Sequence, residues 1–282
     1  MIRGGRCRDN LRVPTPTISD DEELARLPSG LHRVTRDGRP ALAKVRRDAP
    51  HGFFAAEACG LAALRLAHEL RVPDVFAVNE YAILIEDLGT GRPRREDWER
   101  AGAQLARMHR PASESFGFDT DGWCGDSPQD NARSNDGYSF FAERRLRPQA
   151  MRARTSALLD ESDSRRLDRI CENLADIVPA APAVLVHGDL WSANLHACAS
   201  GELALIDAGA VHYGWAEGDL AMLTLFGEPP APFFAAYEAE SNTNCEWRER
   251  APIYNLYHLL NHLNLFGGGY LASVRAILRR YG

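Results

Sequence analysis

Hydrophobic and polar positions follow two different rhythms along this chain. Leu31 to Thr35 and Ala41 to Val45 each have the length and composition of a short strand, and Asp37-Gly38 between them is a turn signal. Together they predict a β-hairpin. From about Gly52 to Leu70 the apolar residues Phe53, Ala56, Leu61, Leu64 and Ala67 recur at helical spacing, and Pro73 marks the end of that helix. Val75 to Val78 and Ala82 to Ile85 predict two further strands. Past Gly89-Thr90-Gly91 helical periods take over, over Arg95 to Met108, Tyr138 to Leu146, Ser162 to Ile177 and Pro252 to Leu265. Two short apolar runs, Ala183 to Val186 and Leu203 to Ile206, interrupt them as strands. A strand-rich part followed by a helix-rich part predicts an α+β, two-lobed architecture. The small lobe would span residues 1–88 and the larger helical lobe 89–282, with the ligand in the cleft between them.

The clearest chemical pattern follows the strand at Ala183. It reads Val186-His187-Gly188-Asp189-Leu190-Trp191-Ser192-Ala193-Asn194, and Asp207 closes the next short apolar strand. An aspartate, four residues, an asparagine and then a second aspartate at a strand end is the order used in kinase-like phosphoryl transfer. Asp189 would orient an acceptor hydroxyl and take its proton. Asn194 and Asp207 offer the hard oxygen ligands that magnesium prefers. Positioning and charge neutralisation then supply most of the rate. Each residue alone reads more readily as a cap or a turn former; the ordered set is what points to chemistry. His187 reads as a scaffold residue, and Asp219, at the start of a helical run, as a cap or a support for the catalytic loop.

Lys44 lies mid-strand among apolar neighbours, where a lone ammonium would be costly to bury. The α- and β-phosphates of ATP would partner it, as would Glu57 on the following helix. The run Ile83 to Gly89 leads into the lobe junction, and backbone groups of Glu86 and Leu88 are placed to meet an adenine edge.

Composition narrows the field without changing this picture. The chain has 282 residues, 45% hydrophobic and 26% charged, with a formal net charge of −6. That balance gives no sign of a nucleic-acid-binding surface. The short basic runs Arg144-Arg145 and Arg279-Arg280 read as solvated helix faces. Six cysteines contain no C-x-x-C pair, which argues against a zinc framework or disulfides and fits a reducing cytoplasm. Met1 to Arg6 has no apolar segment behind its basic residues and does not read as a secretory signal. No apolar run approaches the roughly 18 residues needed to cross a bilayer. Nothing in the pattern sets an oligomeric state.

Beyond the general kinase pattern, the chain resembles the fructosamine kinase (ketosamine 3-kinase) family, a branch of the aminoglycoside-phosphotransferase and protein-kinase-like superfamily. The resemblance is carried by Gly52 to Ala58, Phe140 to Leu146, His187 to Asn194, Tyr213-Gly214, and Tyr257 to Gly267. It implies ATP- and magnesium-dependent phosphorylation of a sugar hydroxyl on ketoamines, small or protein-bound, in a deglycation role. It also implies that Asp189 is the catalytic aspartate, Lys44 the phosphate-binding lysine, and Asn194 with Asp207 the magnesium ligands. Two departures stand out. The glycine loop between the first strands corresponds to Leu27 to His32, with one glycine, so closure over the phosphates is expected to be thin. The family's Asp-Pro-Ala is Asp207-Ala208-Gly209 here, so a looser turn is expected.

The segment from Pro252 to Leu265 predicts a helix with Leu256, Leu259, Leu260 and Leu263 as its core stripe. Asn255, His258 and His262 fall on another face. His258 and His262, four apart, line the sugar pocket or a hydrogen-bonded face; without a third ligand they make a poor zinc pair. Trp191 either stacks on a sugar or packs the lobe. The competing functions are a kinase of another hydroxyl compound, such as an aminoglycoside or amino alcohol, and an inactive nucleotide-binding scaffold.

Overall fold

The computed structural model describes residues 16–282; the reading of Met1 to Arg6 lies outside them. A short helix, α1 (Asp21–Arg26), starts at Asp20, whose carboxylate accepts the Glu23 N–H at 2.8 Å. Strands β1 (Gly30–Arg36) and β2 (Arg39–Val45) then form the expected hairpin. Its two turn residues have φ of 51° at Asp37 and 75° at Gly38, the sign that a tight two-residue connection needs. Helix α2 (Phe53–Leu66) is shorter than its periodicity predicts, because His68 takes a left-handed φ of 55° that a helix cannot continue through. Strands β3 (Val75–Val78) and β4 (Ala82–Glu86) complete an antiparallel sheet in the order β1-β2-β4-β3. Alternation along β4 divides its side chains between two cores. Ala82 and Leu84 join Val34, Ala41 and Ala43 under α1, while Ile83 and Ile85 face the core shared with α2.

The remainder is mostly helical. Helix α3 (Arg95–Met108) is followed by three very short strands, β5 (Ala112–Ser113), β6 (Gly122–Cys124) and β7 (Ser127–Gln129). Helix α4 (Gly137–Phe141) passes through a π-turn over Ala142–Leu146 into α5 (Arg147–Thr155), so the predicted end at Leu146 is overrun. Pro148 cannot donate to the Arg144 carbonyl; Arg145 Nη1 does so instead at 3.1 Å. The single helix expected from Ser162 to Ile177 is two, α6 (Glu161–Glu172) and α7 (Leu174–Ile177), broken at Asn173.

Next come β8 (Ala183–Val186), β9 (Leu195–Ala197), β10 (Leu203–Leu205) and β11 (His212–Gly214). β9 and β10 pair as a hairpin, and β8 lies between β11 and β5. Helices α8 (Ala216–Met222), α9 (Ala231–Ser241), α10 (Trp247–Phe266) and α11 (Leu271–Tyr281) close the chain. α10 begins five residues before the predicted Pro252, which it carries inside its opening turns. Its stripe of Leu256, Leu259, Leu260 and Leu263 is buried as predicted. Among the described residues no helix is long and apolar enough to cross a membrane.

Backbone bonds stitch the sheet to the helical part where the site forms. The Leu205 N–H donates to the Arg71 carbonyl at 2.8 Å, just ahead of Asp207. At the junction, the Ala199 N–H donates to the Leu88 carbonyl at 2.9 Å and the Gly91 N–H to the Ala197 carbonyl at 3.1 Å.

Candidate active site

The loop after β8 is built to hold a carboxylate still. Strand β8 is buried along its whole length and ends at His187-Gly188-Asp189. Asp219 of α8, 1% exposed, accepts the His187 N–H at 2.7 Å and the Gly188 N–H at 2.9 Å. His109 Nε2 lies 3.3 Å from the same carboxylate. Burial alone would raise the pKa of Asp219, but these partners outweigh it and hold the carboxyl below its ordinary range. Asp219 therefore supports the loop that carries Asp189, one of the two roles read from the sequence. Gly188 has a φ of 79°, and a Cβ there would stand 2.2 Å from the Ala210 carbonyl oxygen, so no other residue fits. His187 is the scaffold residue expected of it. Its Nδ1 accepts the Asp189 N–H at 3.4 Å and its Nε2 donates to the Ile206 carbonyl at 2.8 Å. The ring thereby couples the loop of Asp189 to the strand end that carries Asp207, and burial keeps it neutral.

Asn194 faces inward and is 4% exposed. Its Nδ2 donates to the Asp189 carbonyl at 2.9 Å, which turns Oδ1 the other way. Asp207 follows β10 with a left-handed φ of 58°, a costly conformation for a residue with a Cβ and one that recurs at functional sites. The turn after it is not loose, contrary to the expectation from its missing proline. Ala208 is fully buried, and a Cβ on Gly60 of α2 would stand 1.9 Å from the Ala208 carbonyl oxygen. The Trp123 N–H further fixes Gly209 through its carbonyl at 2.8 Å. Close packing of α2 on this turn supplies the rigidity that proline would otherwise give.

That packing also delivers Glu57. Lys44 of β2 bonds Glu57 Oε1 at 2.6 Å and bonds the Asp207 carboxylate as well. Burial opposes the charge on Lys44, but the two carboxylates outweigh it and raise its pKa. Asp189, Asn194, Asp207 and Glu57 all line one cavity of about 210 Å³, together with Phe53, Trp123 and Trp191. Burial, with help from the nearby Asp207 and Asp219 carboxylates, pushes the Asp189 carboxyl up to about 7.

On its other side Asp189 borders a larger cavity of about 520 Å³. Trp191 belongs to both cavities, as do Asp189 and Gly125. The larger one is walled by Phe226, His262, Phe266 and Tyr270, and among the described residues Asp189 is the single carboxylate in its lining. His262 therefore reaches the pocket, with its ring centroid 4.7 Å from Phe226 and 5.2 Å from Tyr270. His258 lies deeper. Its Nδ1 is 3.8 Å from Asp189 Oδ1 and has no hydrogen-bond partner among the described residues. Burial and the nearby His262 lower its pKa to about 3, so the ring is neutral.

At the junction, the Glu86 side chain is held by Arg71 at 2.5 and 2.6 Å, and the Glu86 N–H donates to the Asp74 carbonyl at 2.8 Å. The Leu88 carbonyl accepts the Ala199 N–H. The stretch Leu27 to His32 is not a loop between the first two strands. Leu27 to Ser29 link α1 to β1, Gly30 to His32 open β1, and the first two strands join at Asp37-Gly38. The stretch is tied down: Ser29 Oγ accepts the Arg47 N–H at 3.1 Å, and His32 Nε2 bonds the Pro28 carbonyl at 2.8 Å.

Arg145 corrects another expectation. Arg279 and Arg280 are exposed, but Arg145 is 2% exposed and not on a solvated face. Its guanidinium donates to the Asp130 carbonyl at 2.6 Å and to Asn131 Oδ1 at 2.7 Å, and lies 4.6 Å from the centre of the Phe140 ring. Burial lowers its pKa to about 10. The π-turn re-aims this residue inward, and adjacency to Arg144 in the sequence concealed it. Cys124, Phe226, Phe266 and Tyr270 were also missed as pocket residues; only the aromatic spacing near the end of α10 hinted at them.

Comparison with known proteins agrees with this geometry. The family model described as "Fructosamine kinase" matches residues 29–281. A "Probable ketoamine kinase" of Synechocystis is 39% identical over 233 residues, covering 81% of this chain and 78% of that protein. The chloroplastic protein-ribulosamine 3-kinase of Arabidopsis thaliana is 34% identical over 250 residues, covering 84% and 74%. A solved structure from Thermobifida fusca, provisionally named a fructosamine-3-kinase, superposes with a TM-score of 0.80 at 36% identity, covering 88% and 89%. The ADP-bound aminoglycoside phosphotransferase APH(2'')-Ib shares the fold, with a TM-score of 0.58 at 15% identity and 90% of each chain covered.

Proposed function

Because the chain belongs to the fructosamine kinase family, ATP-dependent phosphotransferases acting on a sugar hydroxyl, we propose that it phosphorylates the sugar of fructosamine or ribulosamine adducts through Asp189. One observation carries this reading: Asp189, Asn194, Asp207 and the Glu57 partner of Lys44 open onto one cavity. Of the described residues, 16–88 form the nucleotide-holding lobe and 89–282 the lobe that carries the base and the acceptor pocket. Phosphorylation destabilises the adduct and frees the amine, a deglycation role. Five free cysteines among the described residues fit a cytoplasmic location.

Asp189 accepts the proton of the sugar hydroxyl as the oxygen attacks the γ-phosphorus. A carboxyl near 7 is matched to that exchange at neutral pH. Lys44 keeps Glu57 and exchanges Asp207 for the α- and β-phosphates. The Leu88 N–H and the Glu86 carbonyl meet the adenine edge. Asn194 Oδ1 and the half-exposed Asp207 carboxylate suit magnesium, since both are hard oxygens and the Asn194 amide is already turned by its bond to Asp189. Magnesium, when bound, neutralises triphosphate charge. Trp191 and His262 flank the sugar, and His258 stands behind Asp189. The scarcity of carboxylates in the acceptor pocket disfavours a polycationic aminoglycoside. The test is ADP release with magnesium-ATP over ribulosamine, fructosamine, aminoglycoside and amino-alcohol acceptors. Turnover of a ketoamine is expected; turnover of only the other two classes would overturn the reading.

A further inference from the structure

Behind the acceptor pocket, three side chains from distant parts of the chain meet. Cys124 ends β6, Asp189 lies in the loop after β8, and His258 is on α10. One ligand atom of each lies within 4.8 Å of those of the other two. Both the thiol and the imidazole are nearly buried, at 2% and 5% exposure. The His258 Nδ1 on the Asp189 side of the ring, 3.8 Å from Oδ1, has no hydrogen-bond partner among the described residues. A buried ring nitrogen without a partner is costly; here it lies against the Asp189 carboxylate, with the Cys124 thiol in the same cluster. Asn261 Nδ2 donates to Cys124 Sγ at 3.3 Å, which orients the sulfur. Cys124 and Asp189 both open onto the 520 Å³ cavity, so an ion has a path to the cluster from solvent.

We propose that Cys124 Sγ, the Asp189 carboxylate and His258 Nδ1 bind a soft divalent cation of the zinc class, which shuts the acceptor side of the cleft. The donor set selects the metal. Sulfur and imidazole suit zinc and disfavour magnesium, which seeks oxygen. Zinc bonds of about 2.0–2.3 Å place ligand atoms in a tetrahedral shell about 3.3–3.8 Å apart, so the cluster needs to close by about 1 Å. Binding releases the thiol proton, together with the proton of any Asp189 carboxyl still protonated, to solvent, and thiolate plus carboxylate then balance the two charges of the ion. The fourth position faces the cavity. The site is separate from the oxygen pair Asn194 and Asp207 but shares Asp189 with the acceptor. A bound ion therefore occupies the carboxylate that must meet the sugar hydroxyl. That inhibitory consequence rests on the proposed role of Asp189; the metal site itself rests on the geometry alone.

Cobalt(II) separates the two. Titrated into the metal-free full chain with magnesium present, it should give a thiolate-to-cobalt charge-transfer band and strong tetrahedral visible bands at one equivalent, and zinc should displace it. Cys124→Ser should abolish the charge-transfer band, and His258→Gln should weaken binding at least tenfold, in proteins whose thermal unfolding shows that they are folded. A band retained in Cys124→Ser, or an affinity unchanged in His258→Gln, would overturn the site. In turnover assays zinc should raise the apparent KM for the ketoamine without raising that for ATP. The half-inhibitory zinc concentration should increase at least tenfold in Cys124→Ser. Inhibition competitive with ATP and equal in both proteins would contradict the proposal. Cobalt binding through Cys124 with no loss of turnover would keep the metal site and instead overturn the placement of Asp189 against the acceptor.

Discussion

The two cavities that meet at Asp189 are built from opposite materials. The smaller, about 210 Å³, is edged by Glu57, Asp189, Asn194 and Asp207, each fixed by an ion pair, a hydrogen bond or a strained turn. The larger, about 520 Å³, is walled by Trp191, Phe226, His262, Phe266 and Tyr270. The first is a charge-handling device, the kind any phosphoryl transfer needs. The second is a shape and stacking surface that offers a cationic guest one carboxylate and several ring faces. If the proposed function holds, general reactivity and acceptor choice lie on opposite sides of one carboxylate, and substitutions on the two sides should fail differently.

The largest separation comes from Asp189→Asn. Turnover should fall by about 10³-fold or more while ATP affinity, measured by calorimetry, stays within a few-fold. The same variant should unfold at a temperature a few degrees higher. Burial raises the folded-state pKa of Asp189 from 3.8 to about 7. Its contribution is therefore most favourable below the unfolded value and is lost as pH rises through about 7; the amide removes that loss. A melting temperature lower than wild type at pH 8 would refute this. Lys44→Met should cost about 10²-fold in kcat/KM, with the ATP dependence changed more than the ketoamine dependence, and should leave Glu57 buried without its partner. An unchanged KM for ATP would take Lys44 out of the nucleotide side.

Smaller effects sharpen the contrast. Below its midpoint, kcat/KM for the ketoamine should fall about tenfold per pH unit, with an apparent pKa at or below about 7, because bound magnesium favours the ionised carboxylate. Asp189 has to be ionised to act as a base, so the loss falls on the acid side. A limb on the alkaline side only would contradict that role. The smallest change is expected from Phe266→Ala at the exposed rim, 67% exposed. KM for the ketoamine should rise about fivefold, the value of one aromatic contact, with kcat and the ATP dependence unmoved.

The charged side was the legible one. Asp189, Asn194 and Asp207 each stand beside a short apolar strand in a fixed order, and an ammonium in the middle of β2 already implied a partner such as Glu57. The β1–β2 hairpin was equally clear from Asp37-Gly38. Strands β5, β6 and β7 have two or three residues each, too few for any period to register, yet β6 delivers Cys124. The inward turn of Arg145 depends on a π-turn that residue spacing does not encode. Helix α10 was truncated because Pro252 reads as a first-turn residue. The aromatic wall is assembled from residues between 191 and 270, a proximity that exists only after α8 and α10 pack together. Local pattern reveals chemistry carried by neighbours in sequence; it is silent about chemistry made by tertiary contact.

The most direct measurement is a crystal structure with magnesium, a non-hydrolysable ATP analogue and a ribulosamine bound together. The account predicts a sugar hydroxyl within hydrogen-bond distance of the Asp189 carboxylate and in line with the γ-phosphorus, with magnesium on Asn194 and Asp207 and the sugar's amine side among Trp191, His262 and Phe266. A ribulosamine bound away from Asp189, or a triphosphate held without Asn194 and Asp207, would contradict it.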